Sequence, residues 1–367
     1  MMTGEDIAKL LLTWYQVNKR DLPWRRTDDP YSIVVSEFML HQTQVSTALP
    51  YYQRFLRRFP DWTTLAQAEL DDVLKVWEGL GYYARARHLH RLAQQVCSEH
   101  GGLLPTDASA LRRLPGVGEY TVGAILSLVF GRDAIAVDGN SRRVLSRLTG
   151  LRVDPTKGEG KLRITQIAES LLPSGQAADF NQALMDLGAA ICLPRQPHCS
   201  LCPLQSACQA QRDNLQAQLP VRPVAKTLPH YDIGVGLIWH HERLLIARRP
   251  PKGLLGGLWE FPGGKCEQGE SLPECVLREI REELNIEVEV GQPMTVVKHA
   301  YTHFRVTLHF FHCQYLSGEV YAINHTAWKW VSAQELPDYA FPAANHAVIA
   351  ALQAESVAPQ KSKHLPG

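Results

Sequence analysis

The chain has 367 residues, enough for two or three ordinary domains, and 45% of them are hydrophobic, so globular cores are within reach. Net charge is only +1, which by itself says little about nucleic acid; the first 225 residues are slightly basic and the rest slightly acidic. No apolar run approaches the ~18 residues of a membrane span. The opening MMTGEDIAKLLLTWYQ lacks the basic region that precedes a signal core and reads as an amphipathic helix.

Apolar residues at helical spacing predict helices over 5–17, 31–46, 62–77, 84–98, 119–130 and 139–149. Asp29-Pro30, Gly79-Leu80-Gly81, Gly101-Gly102, Pro115-Gly116 and Asp154-Pro155 punctuate them. Residues 1–208 therefore read as one helical region. Residues 209–230 are polar, contain three prolines and read as a linker. From 231 to 355 the grammar changes. YDIGVGLIWH, RLLIARR, TVVKHAYTH and RVTLHFFHCQYL read as strands, with one helix near 272–284, which makes this half α/β or α+β. Residues 356–367 are polar without a period and are expected to fray.

Several residues in this frame carry chemistry. Glu37 sits in YSIVVSEFML, the least polar stretch of the helical half. A carboxyl among such neighbours loses hydration, its pKa rises, and it suits a general acid. Gly79-Leu80-Gly81-Tyr82-Tyr83 is a turn bearing two tyrosines. In Leu114-Pro115-Gly116-Val117-Gly118 the Gly-x-Gly turn exposes consecutive N–H groups at a helix start, a helix-hairpin-helix element suited to gripping phosphate without reading sequence; the hairpin spans about 107–130. Asp138, in Val-Asp-Gly-Asn, is placed to cap the helix 139–149, a role compatible with a catalytic one.

Cys192, Cys199, Cys202 and Cys208 follow the spacing C-x6-C-x2-C-x5-C. A disulfide knot is out of place in a reducing compartment. Structural zinc usually takes two C-x2-C pairs. One tight pair with a cysteine six residues back looks like ligation of a 4Fe-4S cube, with zinc as the alternative. Cys97, Cys266, Cys275 and Cys313 are scattered and read as small buried or half-buried side chains.

In the C-terminal half, Gly264, Glu270 and Arg278-Glu279-Ile280-Arg281-Glu282-Glu283-Leu284-Asn285-Ile286 give G-x5-E-x7-R-E-U-x-E-E-x-G-U, where U is apolar and Asn285 replaces the last glycine. Asn tolerates the left-handed backbone of a helix C-cap. Ser271 and Glu274 form a capping box. Glu279, Glu282 and Glu283 share one helix face, an arrangement suited to Mg²⁺ and a pyrophosphate.

The cysteine spacing, the hairpin and Val137-Asp138-Gly139-Asn140 resemble the helix-hairpin-helix DNA glycosylases of the endonuclease III and MutY type. The box at 264–286 resembles the Nudix box of MutT-like domains. Joined in this order over about 5–355, they resemble the MutY family. The resemblance implies a multidomain chain: an all-α helix-hairpin-helix glycosylase with a 4Fe-4S module at 192–208, then a Nudix domain.

It further implies Glu37 as the acid that protonates N7 of adenine and Asp138 as the carboxylate serving the sugar cation. Where endonuclease III carries a lysine, this chain has Tyr120, which cannot form a Schiff base. The expected enzyme is therefore monofunctional, with Tyr120 and Asn140 in the base pocket. Gln42 resembles a residue inserted into the DNA stack, although His41 replaces the usual first glutamine. Tyr82, beside Leu80, resembles an aromatic wedge. Gly116 and Gly118 hold phosphate, and Tyr301-Thr302-His303 resembles the loop that reads 8-oxoguanine.

The expected activity is excision of adenine opposite 8-oxoguanine, and opposite guanine, in double-stranded DNA, by a cytoplasmic, DNA-associated monomer without a membrane span. Two alternatives stand beside it: a Nudix pyrophosphatase using Mg²⁺ with the helical half as DNA anchor, and a mismatch-binding protein that catalyses nothing.

Overall fold

The computed structural model describes residues 2–222 and 227–357. The chain divides into two compact units, Met1–Gln67 with His88–Ala225, and Ala68–Arg87 with Lys226–Gly367. This division does not follow a single cut near 208. The linker expected from 209 opens on a short helix and ends on a strand, and most of the expected tail lies outside the described residues.

In chain order the helices of the first half are α1 (Gly4–Asn18), α2 (Pro30–Leu40), α3 (Val45–Arg58), α4 (Trp62–Gln67), α5 (Leu70–Trp77), α6 (Ala84–His100), α7 (Ala108–Arg113), α8 (Glu119–Leu128), α9 (Gly139–Thr149), α10 (Gly158–Leu171), α11 (Ala177–Ala190) and α12 (Gln209–Arg212). The helix expected over 31–46 ends at Leu40. Gln42 adopts a positive φ of 60°, which no helix continues through, and α3 restarts at Val45. The helix expected over 62–77 is likewise split into α4 and α5. Leu11, Tyr15, Leu145, Phe180 and Leu187, from α1, α9 and α11, close one core against which Cys192, Cys202 and Cys208 pack.

The second unit is built on a mixed sheet of β1 (His230–His240), β2 (Arg243–Arg248), β3 (Trp259–Glu260), β4 (Gly263–Lys265), β5 (Glu287–Ala300), β6 (Arg305–Ser317) and β7 (Ala327–Val331), with α13 (Leu272–Leu284) and α14 (His346–Val357). The order is β3-β2-β1-β6-β5, with β4 on β1 and β7 on β2. β1 and β6 run parallel, Val235 opposite Phe310. α13 packs closely on β1: a Cβ on Gly236 would come within 2.6 Å of Ile280 Cδ1. Asn285 ends α13 in the left-handed conformation, φ 57°. The 68–87 segment is strapped to this unit: Lys75 Nζ donates to the Tyr339 carbonyl at 3.0 Å, Phe341 N–H donates to Glu78 at 2.8 Å, and Arg248 pairs with Asp71 at 2.5 Å.

Candidate active site

Glu37 points inward from α2, a helix started by Asp29, whose carboxylate accepts from the Tyr31 and Ser32 N–H groups, and by Pro30 in its first turn. Ile33, Val34, Val35, Phe38 and Met39 bury around it, and Glu37 itself is only 5% exposed. Burial pushes its carboxyl up to about 7; the Tyr120 hydrogen bond and Arg25 pull the other way, and the Asp138 charge adds to the rise. Tyr120, on the first turn of α8, donates its hydroxyl to Glu37 Oε2 at 2.7 Å, leaving the other carboxyl oxygen for a proton. Burial and the two carboxylates push the Tyr120 hydroxyl well above its ordinary range, so it stays a donor.

Asp138 is the N-cap of α9. Its Oδ1 accepts the Ser141 N–H at 2.6 Å and its Oδ2 accepts from Asn140 Nδ2 at 3.0 Å. Asn140 Oδ1 in turn accepts from Arg143, which also donates to the carbonyls of Gly188 and Cys192. Arg25, whose charge acts on Glu37, and its partner Asp186 were not singled out in the sequence. Asp186 on α11 accepts both guanidinium nitrogens of Arg25, at 2.7 and 2.9 Å, and also Arg20. Burial would raise the Asp186 carboxyl, but these arginines hold it below its ordinary value. Its signal was a lone carboxylate between Leu184, Met185 and Leu187.

Gly116 has φ +78°, and a Cβ there would stand 2.7 Å from His88 Cβ and 2.9 Å from Phe38 of α2. The hairpin therefore needs glycine to sit against the helix that carries Glu37. Gly118 caps α8 without any side-chain hydrogen bond, leaving its first N–H groups to an external acceptor. Gln42 is exposed on its left-handed turn, and the His41 ring beside it lies 5.2 Å from the Tyr120 ring.

Tyr82, Leu80 and the Tyr301–His303 loop belong to the second unit. Leu80 is buried, whereas Tyr82 is exposed with a positive φ of 49°. Tyr301 to His303 form the turn between β5 and β6. The Tyr301 ring packs on His299 and Phe304, and the Thr302 hydroxyl hydrogen-bonds the Tyr82 hydroxyl at 3.0 Å. His303 is exposed.

Cys192, Cys199, Cys202 and Cys208 line one small cavity of about 30 Å³ together with Arg147, Gln211 and Gln216. Arg147 donates to Cys192 Sγ at 3.3 Å and to the Leu193, Pro194 and Leu219 carbonyls, so one buried guanidinium shapes the loop. A donor set of four thiols around a shared space fits a polynuclear cluster.

The Mg²⁺ expected at the Nudix helix finds no such support. Glu279 pairs with Arg278 at 3.1 Å and lies against Gly264; Glu282 is exposed and reaches the same arginine. Glu283 accepts the Gly263 N–H at 3.2 Å, and burial pushes it up to about 7, which favours its neutral form. The three carboxylates share a helix face but not a focus. Among the described residues, no group of three or more His, Cys, Asp or Glu side chains has the geometry to hold a single metal ion, and no helix is long and apolar enough to cross a membrane.

Residues 35–170 match the HhH-GPD superfamily of base excision DNA repair proteins, and residues 234–351 match the NUDIX domain. The adenine DNA glycosylase of Buchnera aphidicola from Acyrthosiphon pisum is 34% identical, over 83% of this chain and 85% of its own. That of Schizosaccharomyces pombe is 30% identical over 90% and 86%. The human protein of the same name is 36% identical over 74% of this chain and 60% of its own, so the chain spans less than two thirds of that relative. A thermostable thymine-DNA glycosylase superposes with a TM-score of 0.53 at 32% identity, covering 57% of this chain and 97% of that one. An endonuclease III–DNA covalent intermediate shares the fold, with a TM-score of 0.51 at 21% identity over 59% of this chain and 100% of that one. With a helical unit, a Nudix unit and relatives matched along most of both chains, the protein belongs to the adenine DNA glycosylase family.

Proposed function

We propose that the protein is a monofunctional DNA glycosylase of base excision repair that hydrolyses the N-glycosidic bond of adenine paired with 8-oxoguanine or guanine in double-stranded DNA. The observation that carries this reading is the Glu37–Tyr120 pair, a buried carboxyl poised at about 7 beside the Asp138 carboxylate. Glu37 gives its proton to a ring nitrogen of the flipped adenine, making the base a better leaving group. Tyr120 fixes the orientation of the acid. Asp138 places negative charge where the sugar becomes an oxocarbenium ion, and water completes hydrolysis. Asn140 holds Asp138 from behind.

Because residue 120 is tyrosine, a duplex carrying adenine opposite 8-oxoguanine should lose the base quantitatively while its strand breaks only after alkali or heat. Rapid scission without either, with an adduct trapped by borohydride, contradicts this reading. The pyrophosphatase reading is not favoured: the curated relatives are glycosylases, and the Nudix carboxylates are engaged with Arg278 and Gly263.

Proteins of this family generally hold a 4Fe-4S cluster. In this chain Cys192, Cys199, Cys202 and Cys208 would bind it, and the group would fold the 192–208 loop rather than take part in base removal. Native protein prepared anaerobically should contain about four irons per chain. Stoichiometric zinc with negligible iron points to the zinc alternative.

In the same reading Tyr301 stacks beside the oxidised base and Thr302 hydrogen-bonds it, after exchanging its bond to Tyr82. Replacing both with alanine should shrink the preference for 8-oxoguanine over guanine by about thirtyfold, since stacking and a hydroxyl contact are each worth about 1 kcal/mol. Adenine excision itself should persist. The Glu282→Gln/Glu283→Gln variant should keep its preference; if it alone loses it, the helix face is the reader and the loop is not.

A further inference from the structure

The segment 130–137 joins α8 to α9 and delivers Asp138 to the head of α9 while belonging to neither helix nor strand. Its buried backbone groups must therefore be met by side chains. Asn181, on α11 and only 1% exposed, meets two of them. Its Oδ1 accepts the Ala136 N–H at 2.9 Å, and its Nδ2 donates to the Ala134 carbonyl at 2.8 Å. The amide thus brackets Ile135 as one residue of a parallel neighbouring strand would. Nδ2 also donates to Ser127 Oγ of α8 at 3.0 Å, and Ser127 in turn donates to the Gly123 carbonyl at 2.8 Å. Ile135 is held against that helix as well: a Cβ on Gly123 would stand 1.8 Å from the Ile135 carbonyl oxygen, so α8 meets the segment backbone to backbone. Further back, Asp133 accepts the Gly175 N–H at 2.8 Å and the Ser174 hydroxyl at 3.0 Å.

These contacts tie together the two halves of the site. Tyr120 stands one turn before Gly123 on α8, and Met185 one turn after Asn181 on α11. The Tyr120 hydroxyl that donates to Glu37 also lies 3.9 Å from Met185 Sδ. The two helices that frame Tyr120 therefore also clamp the segment that ends at Asp138. Two residues beyond Ala136 the chain reaches that carboxylate, so little slack separates the clamp from the charge. A buried asparagine that only satisfies a loop would lose stability on replacement and nothing else.

We propose that Asn181 is a positioning residue for base removal: its side-chain amide fixes the 134–136 backbone against α8 and so sets where the Asp138 carboxylate stands relative to Tyr120 and Glu37. The proposal rests on the reading of Asp138 as the group that serves the sugar cation. Asn181 touches neither base nor sugar; it acts through the backbone that carries Asp138. The role demands an amide of this length, because one acceptor and two donors are all in use. Leucine fills the same space and offers no hydrogen bond. Aspartate keeps the acceptor for Ala136 but turns a carboxylate oxygen toward the Ala134 carbonyl and Ser127, where donors are needed.

The test uses the full-length protein, well below its melting temperature, on a duplex carrying adenine opposite 8-oxoguanine. In Asn181→Leu, single-turnover excision should fall about a hundredfold, the loss expected when a reacting group is misplaced by about 1 Å. Affinity for the same duplex with a non-cleavable adenine analogue should stay within about twofold, since phosphate contacts supply it. Hydrogen exchange at the Ala136 amide should quicken, which reports the lost acceptor without reference to activity. Asn181→Asp, a change of one atom, should lose about tenfold in rate and serves as the test where the leucine variant does not fold. The decisive measurement is a double-mutant cycle. In Asp138→Ser the carboxylate is already gone, so adding Asn181→Leu, or Asn181→Asp, should slow excision by no more than about threefold further. Losses that multiply in full mark Asn181 as a general support of the fold and overturn the proposal. So does an Asn181→Leu protein that frees Ala136 yet excises at the parental rate. An Asp138→Ser protein with the parental rate defeats the reading of Asp138 itself, and the proposal with it; a slow Asp138→Ser beside a fast Asn181→Leu defeats the proposal alone.

Discussion

Replacing Glu37 with glutamine should cut adenine excision by orders of magnitude while leaving duplex affinity intact. The amide has the same shape, and its oxygen still accepts the Tyr120 hydroxyl that Oε2 accepts at 2.7 Å. What it lacks is an acidic proton. General acid catalysis by one positioned side chain is worth about 10²–10⁴-fold, and single-turnover excision on an adenine–8-oxoguanine duplex should drop by that amount. The parent enzyme should follow the protonated fraction of Glu37. With the carboxyl at about 7, the rate should fall roughly tenfold for each pH unit above that value. Substantial excision by the glutamine variant, or a parent profile flat from pH 6 to 9, removes Glu37 from the role.

The same carboxyl makes a stability prediction of definite sign. Its pKa in the fold, about 7, lies above its ordinary 4.5. Between these values the folded chain holds a proton that the unfolded chain has lost, so stability falls as pH rises through this window. The full cost, reached above about pH 7, is about 3 kcal/mol at 1.36 kcal/mol per pH unit. Glu37→Gln removes it, so the inactive variant should be the more stable protein at pH 8 and gain little at pH 5. Thermal melts at the two pH values measure the difference.

Much of this was legible in the sequence for reasons that can be stated residue by residue. A carboxylate flanked by Val34, Val35, Phe38 and Met39 announces its own burial, because nothing local can keep it wet. The change from helical to alternating pattern near 231 marks the start of the sheet. Other features were not legible. Between Leu40 and Val45 the words His-Gln-Thr-Gln carry no glycine or proline, so the left-handed break at Gln42 had no local signal. The Arg25–Asp186 pair joins residues 161 apart, and only tertiary packing brings them together. The Nudix spacing puts Glu279, Glu282 and Glu283 within one helix, yet spacing cannot show that Arg278 binds Glu270, Glu279 and Glu282 at once. Nor does anything in residues 68–87 say that their partners are Tyr339, Phe341 and Arg248.

Asp138 should separate into two functions under substitution. As a cap it accepts the Ser141 N–H, and as a charge it acts on Glu37 and, in the proposed mechanism, on the reacting sugar. Serine preserves the cap and discards the charge, so Asp138→Ser should unfold within about 1 kcal/mol of the parent. Its excision rate should nevertheless fall by about 10²–10³-fold, the loss expected when preorganised charge is removed from the transition state. Asparagine is a poorer control, because its amide would turn a donor toward Asn140 Nδ2, which now donates to Oδ2 at 3.0 Å. One further readout distinguishes charge from architecture. The Asp138 carboxylate raises the Glu37 carboxyl, so removing it should let Glu37 ionise more easily. The residual activity of Asp138→Ser should therefore fade at lower pH than the parent's. A variant that loses its rate only in step with its stability, with the pH profile unmoved, would leave Asp138 as a helix cap and nothing more.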